Sequence, residues 1–264
     1  MKQAPPNTSP ALDLSLFKVP TFFASVVGGF IFRLGLGALP FLLPLMLQIG
    51  FGMSPFQSGM ITFATALGAM GMKWAVANIL RRFGFRNILV INSIISSAFL
   101  AVCAGFTATT PISLMLVLLL VGGFFRSLQF TSINTIAYAD IDPSRISRAT
   151  ALISVAQQLA VSSGVAIGAM AVELTVYFKG SGPLQASDFP PAFIAVAAIS
   201  ALSVFVFARL SPKPVRKWPT GFQLPRRPRT NAPARPWLRP HHESPWPANK
   251  ALPNLRGLPA ASHA

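Results

Sequence analysis

Four ionisable side chains, Arg33, Lys73, Arg126 and Glu173, fall inside long apolar stretches of this sequence. An ionised group at a helix centre in hydrocarbon costs about 2.5–3.5 kcal/mol on insertion scales, so each needs water, a partner or a task. Arg33 lies 12 residues into its apolar run and Arg126 lies 14 residues into another. At 1.5 Å per residue these are depths of about 18 and 21 Å, beyond easy reach of an interface. Both are expected to face protein or a water-filled cavity, with packing and substrate contact both open as roles. Lys73 can snorkel to the headgroups. Glu173 falls in the last turns of its run. For these two a structural role is the simpler reading.

Uncharged polar residues add a pattern. Ser127, Thr131, Asn134 and Tyr138 stand at i, i+4, i+7 and i+11, on one helix face below Gly123. Ser154, Gln158 and Ser162 form a second stripe at i, i+4 and i+8, with Gln157 beside it. A polar stripe against lipid is costly, so these faces are expected to point inward and face each other. They would line a substrate path or hydrogen-bond to neighbouring helices. The pattern names no substrate.

Other chemistry is excluded. There is no phosphate loop, which argues against an ATP-driven pump. His241, His242 and His263 all lie near the C-terminus, outside any apolar run, and Cys103 stands alone. No metal motif, disulfide framework or nucleophile–base pair can be assembled from them. No catalytic residue, cofactor or metal is expected, and the chain reads as a non-enzyme.

The elements that must position these residues are spanning helices. The chain is 52% hydrophobic and 11% charged, against about 25% charged in soluble domains. A spanning helix needs about 20 mainly apolar residues. Six windows qualify, near 21–48, 57–80, 87–107, 112–139, 147–176 and 191–209. The expected fold is therefore all-α, a polytopic bundle of six transmembrane helices over 21–209, after a cytoplasmic lead-in over 1–20. Asp142, Pro143 and Ser144 predict a capped start for the fifth helix. Pro40 and Pro44 predict a kink in the first. Gly164 and Gly168, and Ala64 and Gly68, are small-x-x-x-small pairs that let helix backbones approach.

Loop charges orient the bundle. Arg81, Arg82 and Arg86 follow the second window, Arg145 and Arg148 the fourth, and Arg209, Lys213, Arg216 and Lys217 the sixth. The alternate loops are uncharged in two cases and carry Lys179 with Asp188 in the third. Lys and Arg are retained on the cytoplasmic side, so both termini are expected there, in a multi-pass protein of the inner (plasma) membrane.

Composition breaks after Leu210. The last 54 residues hold 12 of 24 prolines and ten of 22 basic residues, without periodicity. The segment 210–264 is expected to be a disordered, basic Pro/Arg-rich tail. It is read either as resting on anionic lipid or as an extension without a role. A nucleic-acid partner is disfavoured, since most of the basic excess lies in this tail and in short loops beside apolar runs.

Two segments resemble a known family. These are `RLGLGALPFLLPLMLQIGFGMSPFQSG` (33–59) and `GGFFRSLQFTSINTIAYADIDPSRISRATALISVAQQLAVSSGVAIGA` (122–169). Both look like the second half of the 14-spanner drug:proton antiporters of the major facilitator superfamily, over about Leu14 to Leu210. `RRFGFR` (81–86) is similar to the second copy of that superfamily's cytoplasmic motif, G-x-x-x-D-R-x-G-R-R. Arg82, Gly84 and Arg86 match it, while Ala77 stands for the first Gly and Arg81 for the acid. The resemblance implies proton-coupled efflux of drug-like or amphipathic small molecules by alternating access, with Arg82, Gly84 and Arg86 in a gating loop. It also implies that the `GPxxGG` motif and the coupling acids belong to a first half that this sequence does not match. The partners implied are the lipid bilayer, a small-molecule substrate, and a covering wall from an N-terminal half or a second copy. The alternative is a truncated, non-transporting membrane fragment or assembly component.

Overall fold

The computed structural model describes residues 13–180 and 182–211. Residues 212–264 of the tail expected over 210–264, and residues 1–12 of the lead-in expected over 1–20, lie outside the described residues. A short 3-10 helix, Leu14–Lys18, precedes six long helices. We number these α1 (Pro20–Gly50), α2 (Pro55–Phe83), α3 (Phe85–Val102), α4 (Ile112–Ile136), α5 (Ile146–Phe178) and α6 (Phe189–Ala208). Strands are absent among the described residues. Among the described residues, five helices are long and apolar enough to cross a membrane: α1, α3, α4, α5 and α6, with α3, α5 and α6 each extended by one 3-10 turn. α2 has the length, with 29 residues, but Gln57, Lys73, Asn78 and Arg82 interrupt its apolar character.

Local signals explain most of the helix ends. Ser54 and Gln57 form a capping box at the start of α2, with Gln57 N donating to Ser54 Oγ at 3.3 Å and Ser54 N to Gln57 Oε1 at 3.1 Å. Gly84, at φ +74°, closes α2 and opens α3 at once, a turn that a side chain would strain. The start of α5 differs from expectation. Asp142 makes no side-chain cap bond; Pro143–Arg145 forms a 3-10 turn and the α-helix begins at Ile146. α1 continues through Pro40 and Pro44, and Met46–Gly50 relaxes into a π-helical turn. A proline removes one donor from the helical ladder, and the wider turn beyond it re-registers the bonds.

Packing follows small residues. α2 lies on α4, α1 on α5 and α6, and α3 on α4 and α6. A Cβ added at Gly68 of α2 would lie 1.8 Å from the Leu120 carbonyl oxygen of α4, and one at Gly123 of α4 would lie 2.2 Å from the Thr65 oxygen of α2. The α1–α5 seam is built the same way: a Cβ at Gly164 would meet Leu34 O at 2.3 Å, and one at Gly37 would meet Val161 O at 2.6 Å. Absent side chains let the backbones touch, which maximises dispersion where lipid offers no hydrophobic gain. The core fills with Leu42, Leu43, Met46, Met115 and Phe193 around one region and Phe32, Met72, Leu89, Ile133 and Phe207 around another. Outward-facing residues are large and apolar, among them Phe56, Phe63, Met70, Phe178 and Phe205. An apolar exterior on this scale suits lipid and not water.

Candidate functional site

Arg33 reaches from α1 to α4 and is 3% exposed. Its Nη2 donates to Asn134 Oδ1 at 2.9 Å, and its Cζ stands 4.5 Å from the Phe130 ring centroid. Gly29, one turn earlier, leaves the room: a Cβ there would come 2.5 Å from Arg33 Nη1. Gln157 of α5 donates its Nε2 to the same Asn134 Oδ1 at 3.0 Å. Three helices thus converge on one amide oxygen. The aromatic face stabilises the guanidinium further. Arg33 Nε remains buried without a partner, and among the described residues no carboxylate pairs with Arg33.

The other residues of the α4 stripe divide. Ser127 Oγ donates to Ala69 O of α2 at 3.0 Å. Thr131 is half-buried, and its carbonyl accepts from Thr135 Oγ1 at 2.8 Å. Tyr138 Oη shares a hydrogen with Thr150 Oγ1 at 3.2 Å, tying the end of α4 to the start of α5. Arg126 is half-buried and lines a small cavity between α1, α2, α3 and α4.

On α5 the outcome is different from the expected pair of facing stripes. Ser154, Gln158 and Ser162 are exposed. The buried face of α5 is instead Ala149, Ile153, Ala160, Gly164, Gly168 and Val172. Small residues win the contact with α1, and that rotation turns the Ser154 stripe outward while Gln157 still reaches Asn134. α5 is the least buried of the five apolar helices. Lys73 and Glu173 are exposed, in keeping with a structural role.

The α2–α3 turn holds Arg82, Gly84 and Arg86. Arg86 donates Nε and Nη2 to the Ala208 carbonyl at 3.3 and 3.1 Å, a cation on the last carbonyls of α6. That placement favours the negative end of the helix dipole. Arg82 is exposed, 5.8 Å from the Phe83 ring centroid.

Two clusters escaped the sequence reading. Asn92 of α3 donates to Phe125 O at 2.8 Å and to Gln129 Oε1 at 3.0 Å; Gln129 Nε2 donates to Ser93 Oγ at 2.6 Å and to Leu89 O at 3.1 Å. This fully buried set stitches α3 to α4, and Ser203 Oγ, 3.3 Å from Ser93 Oγ, extends it to α6. An Asn within an apolar run was the available signal. The second cluster is Asp13 with Arg145 at 2.8 Å and Arg148 at 3.6 Å. Hydrogen bonds from Ser15, then from Arg145, hold the Asp13 carboxyl below its usual range.

The sequence pattern of the Major Facilitator Superfamily matches residues 8–255. The chain belongs to the major facilitator superfamily. This superfamily comprises membrane transporters, not enzymes, and the apolar helices make this member a multi-pass membrane protein. Relatives named MdtD, for multidrug resistance, occur in Salmonella newport and Salmonella typhimurium, each 34% identical over 213 residues, 77% of this chain. Escherichia coli O6:H1 has one that is 34% identical over 211 residues. The chain spans 44% of the length of these relatives.

Proposed function

We propose that this chain is the C-terminal six-helix bundle of a proton-coupled exporter of drug-like or amphipathic small molecules, working by alternating access. The observation that carries the reading is the junction of Arg33, Asn134 and Gln157, where α1, α4 and α5 meet beside an uncovered α5 face. In this architecture the substrate site lies near the bilayer midplane, between two bundles that each supply a wall. The outward polar stripe of Ser154, Gln158 and Ser162 supports a second wall, because hydrocarbon leaves such groups without partners. The multidrug resistance named for the relatives supports the substrate class. α2 serves as the sixth span, its Lys73 snorkelling to the headgroups. The bundle sits in the inner membrane with both termini cytoplasmic, and Arg82, Gly84 and Arg86 form the cytoplasmic loop that gates it. Arg33, Arg126, Thr131, Asn134 and Gln157 border the substrate path, with Ser127, Tyr138, Ser154 and Gln158 at its margins.

The positions of the acids favour a second reading, a membrane component that does not transport by itself. Asp13, Asp140 and Asp142 lie at one end of the helices, and Glu173 and Asp188 at the other. None of these is placed midway for proton relay. Dye accumulation in liposomes under an imposed proton gradient separates the readings. Vesicles with this chain alone should show no gradient-driven uptake, and co-reconstitution with a matching first half should produce uptake that an ionophore abolishes. Transport by the chain alone would overturn the two-wall mechanism; none with the first half would favour the second reading.

A further inference from the structure

Arg126 is placed unlike Arg33. Among the described residues no hydrogen bond or ion pair engages its guanidinium. It lines a cavity of ≈ 30 Å³ with Ser96, Thr65, Leu39, Phe99 and Cys103, and no lining residue is acidic. Ser96 supplies an independent sign. It is 6% exposed, and its Oγ is buried with no hydrogen-bond partner. Thr65 Oγ1 already donates to Thr62 O at 2.8 Å, so Ser96 holds the free hydroxyl hydrogen. An uncompensated cation and an idle donor thus border the same space inside an apolar bundle. The cation favours a negative partner and the hydroxyl any acceptor, and one bound anion would satisfy both. The volume admits about two water-sized spheres, which is room for one halide or for the head of a carboxylate.

We propose that this cavity is a monovalent-anion site, with Arg126 as the counter-charge and the Ser96 hydroxyl as second donor. Chloride and an organic carboxylate share the required chemistry. A carboxylate would meet the guanidinium fork through both oxygens, and chloride through one sphere. Arg33 does not line this cavity; its Nη2 is directed to Asn134 and its guanidinium lies over the Phe130 ring. The site stands whether or not the chain transports by itself, since binding is read at equilibrium.

The test uses the purified full chain in neutral detergent, with a bulky sulfonate as the background anion. Chloride binding is followed by broadening of the ³⁵Cl resonance. The wild type should broaden it saturably. Arg126→Gln should weaken binding about tenfold or more, the scale of a lost charge-assisted contact. Ser96→Ala removes one oxygen and keeps the fold, and should weaken binding about three- to tenfold. Arg209→Gln, exposed and outside the cavity lining, should bind as the wild type does. Benzoate then distinguishes the sources: displacement of chloride identifies a site that takes carboxylates, and its failure identifies one for inorganic anions, each consistent with an anion site. The absence of broadening in the wild type, or equal broadening in wild type, Arg126→Gln and Ser96→Ala, would show that the cavity holds water only and would overturn the proposal.

Discussion

Arg33 and Gln157 donate to the same atom, Asn134 Oδ1, at 2.9 and 3.0 Å. One side chain on α4 therefore satisfies a buried cation from α1 and an amide from α5. The consequences of removing it are unequal. Asn134→Ala should destabilise the bundle by about 1–3 kcal/mol, because two buried donors lose their acceptor. Gln157→Ala should cost less, about 0.6 kcal/mol, as Arg33 keeps Asn134. Thermal unfolding of the purified variants in detergent measures both, and equal losses would show that the shared acceptor is not the organising atom.

The α2–α4 seam tests the packing. Gly68→Leu must push backbone apart at the Leu120 carbonyl and should abolish the folded bundle. Gly71, one turn later on the same helix, has open space at its Cβ position. Gly71→Ala should be neutral or stabilise by up to about 1 kcal/mol. Size-exclusion profiles and melting temperatures should separate the two variants cleanly.

Asp13 anchors the Leu14–Lys18 helix to Arg145 and Arg148, and Leu16 is buried beneath it. Its carboxyl is held below the usual range, so the anchor stabilises at neutral pH and is lost only as pH falls below the ordinary carboxylate range, through the lowered folded-state value. A nitroxide on Leu14→Cys, with Cys103 replaced, should report an ordered segment at pH 7 that loosens in acid. Added Asp13→Asn should loosen it at pH 7 and remove the acid step. An unchanged spectrum in Asp13→Asn would assign the ordering to Leu16 and Phe22 alone.

Orientation has its own readout. With Cys103 replaced, Lys179→Cys and Thr109→Cys should react with an impermeant thiol reagent added outside intact cells, and Arg86→Cys should not. Reversed labelling would turn the proposed topology over.

Much of the fold was legible because lipid imposes a simple rule: about 20 apolar residues per span, with backbone groups satisfied inside each helix. The windows near 21–48, 87–107, 112–139, 147–176 and 191–209 needed only composition, and each holds a helix apolar enough to span. The window near 57–80 became α2, a helix of sufficient length whose polar interruptions keep its span a proposal. The pairs Gly164 with Gly168 and Ala64 with Gly68 announced close seams, because a missing side chain has a steric meaning without any partner being known.

Partner choice was not local information. The spacing of Ser154, Gln158 and Ser162 defines a face but not its direction. Contact between Gly164 and the Leu34 backbone sets the rotation of α5, leaving that stripe outside and sending Gln157 to Asn134. Asn92 and Gln129 are 37 residues apart and Asp13 and Arg145 are 132 apart, so no periodicity joins them. The same holds for Arg33 and Arg126: their depth followed from counting residues along a helix. Only the packing of four helices gave Arg33 an amide and a ring, and left Arg126 beside Ser96 at a cavity.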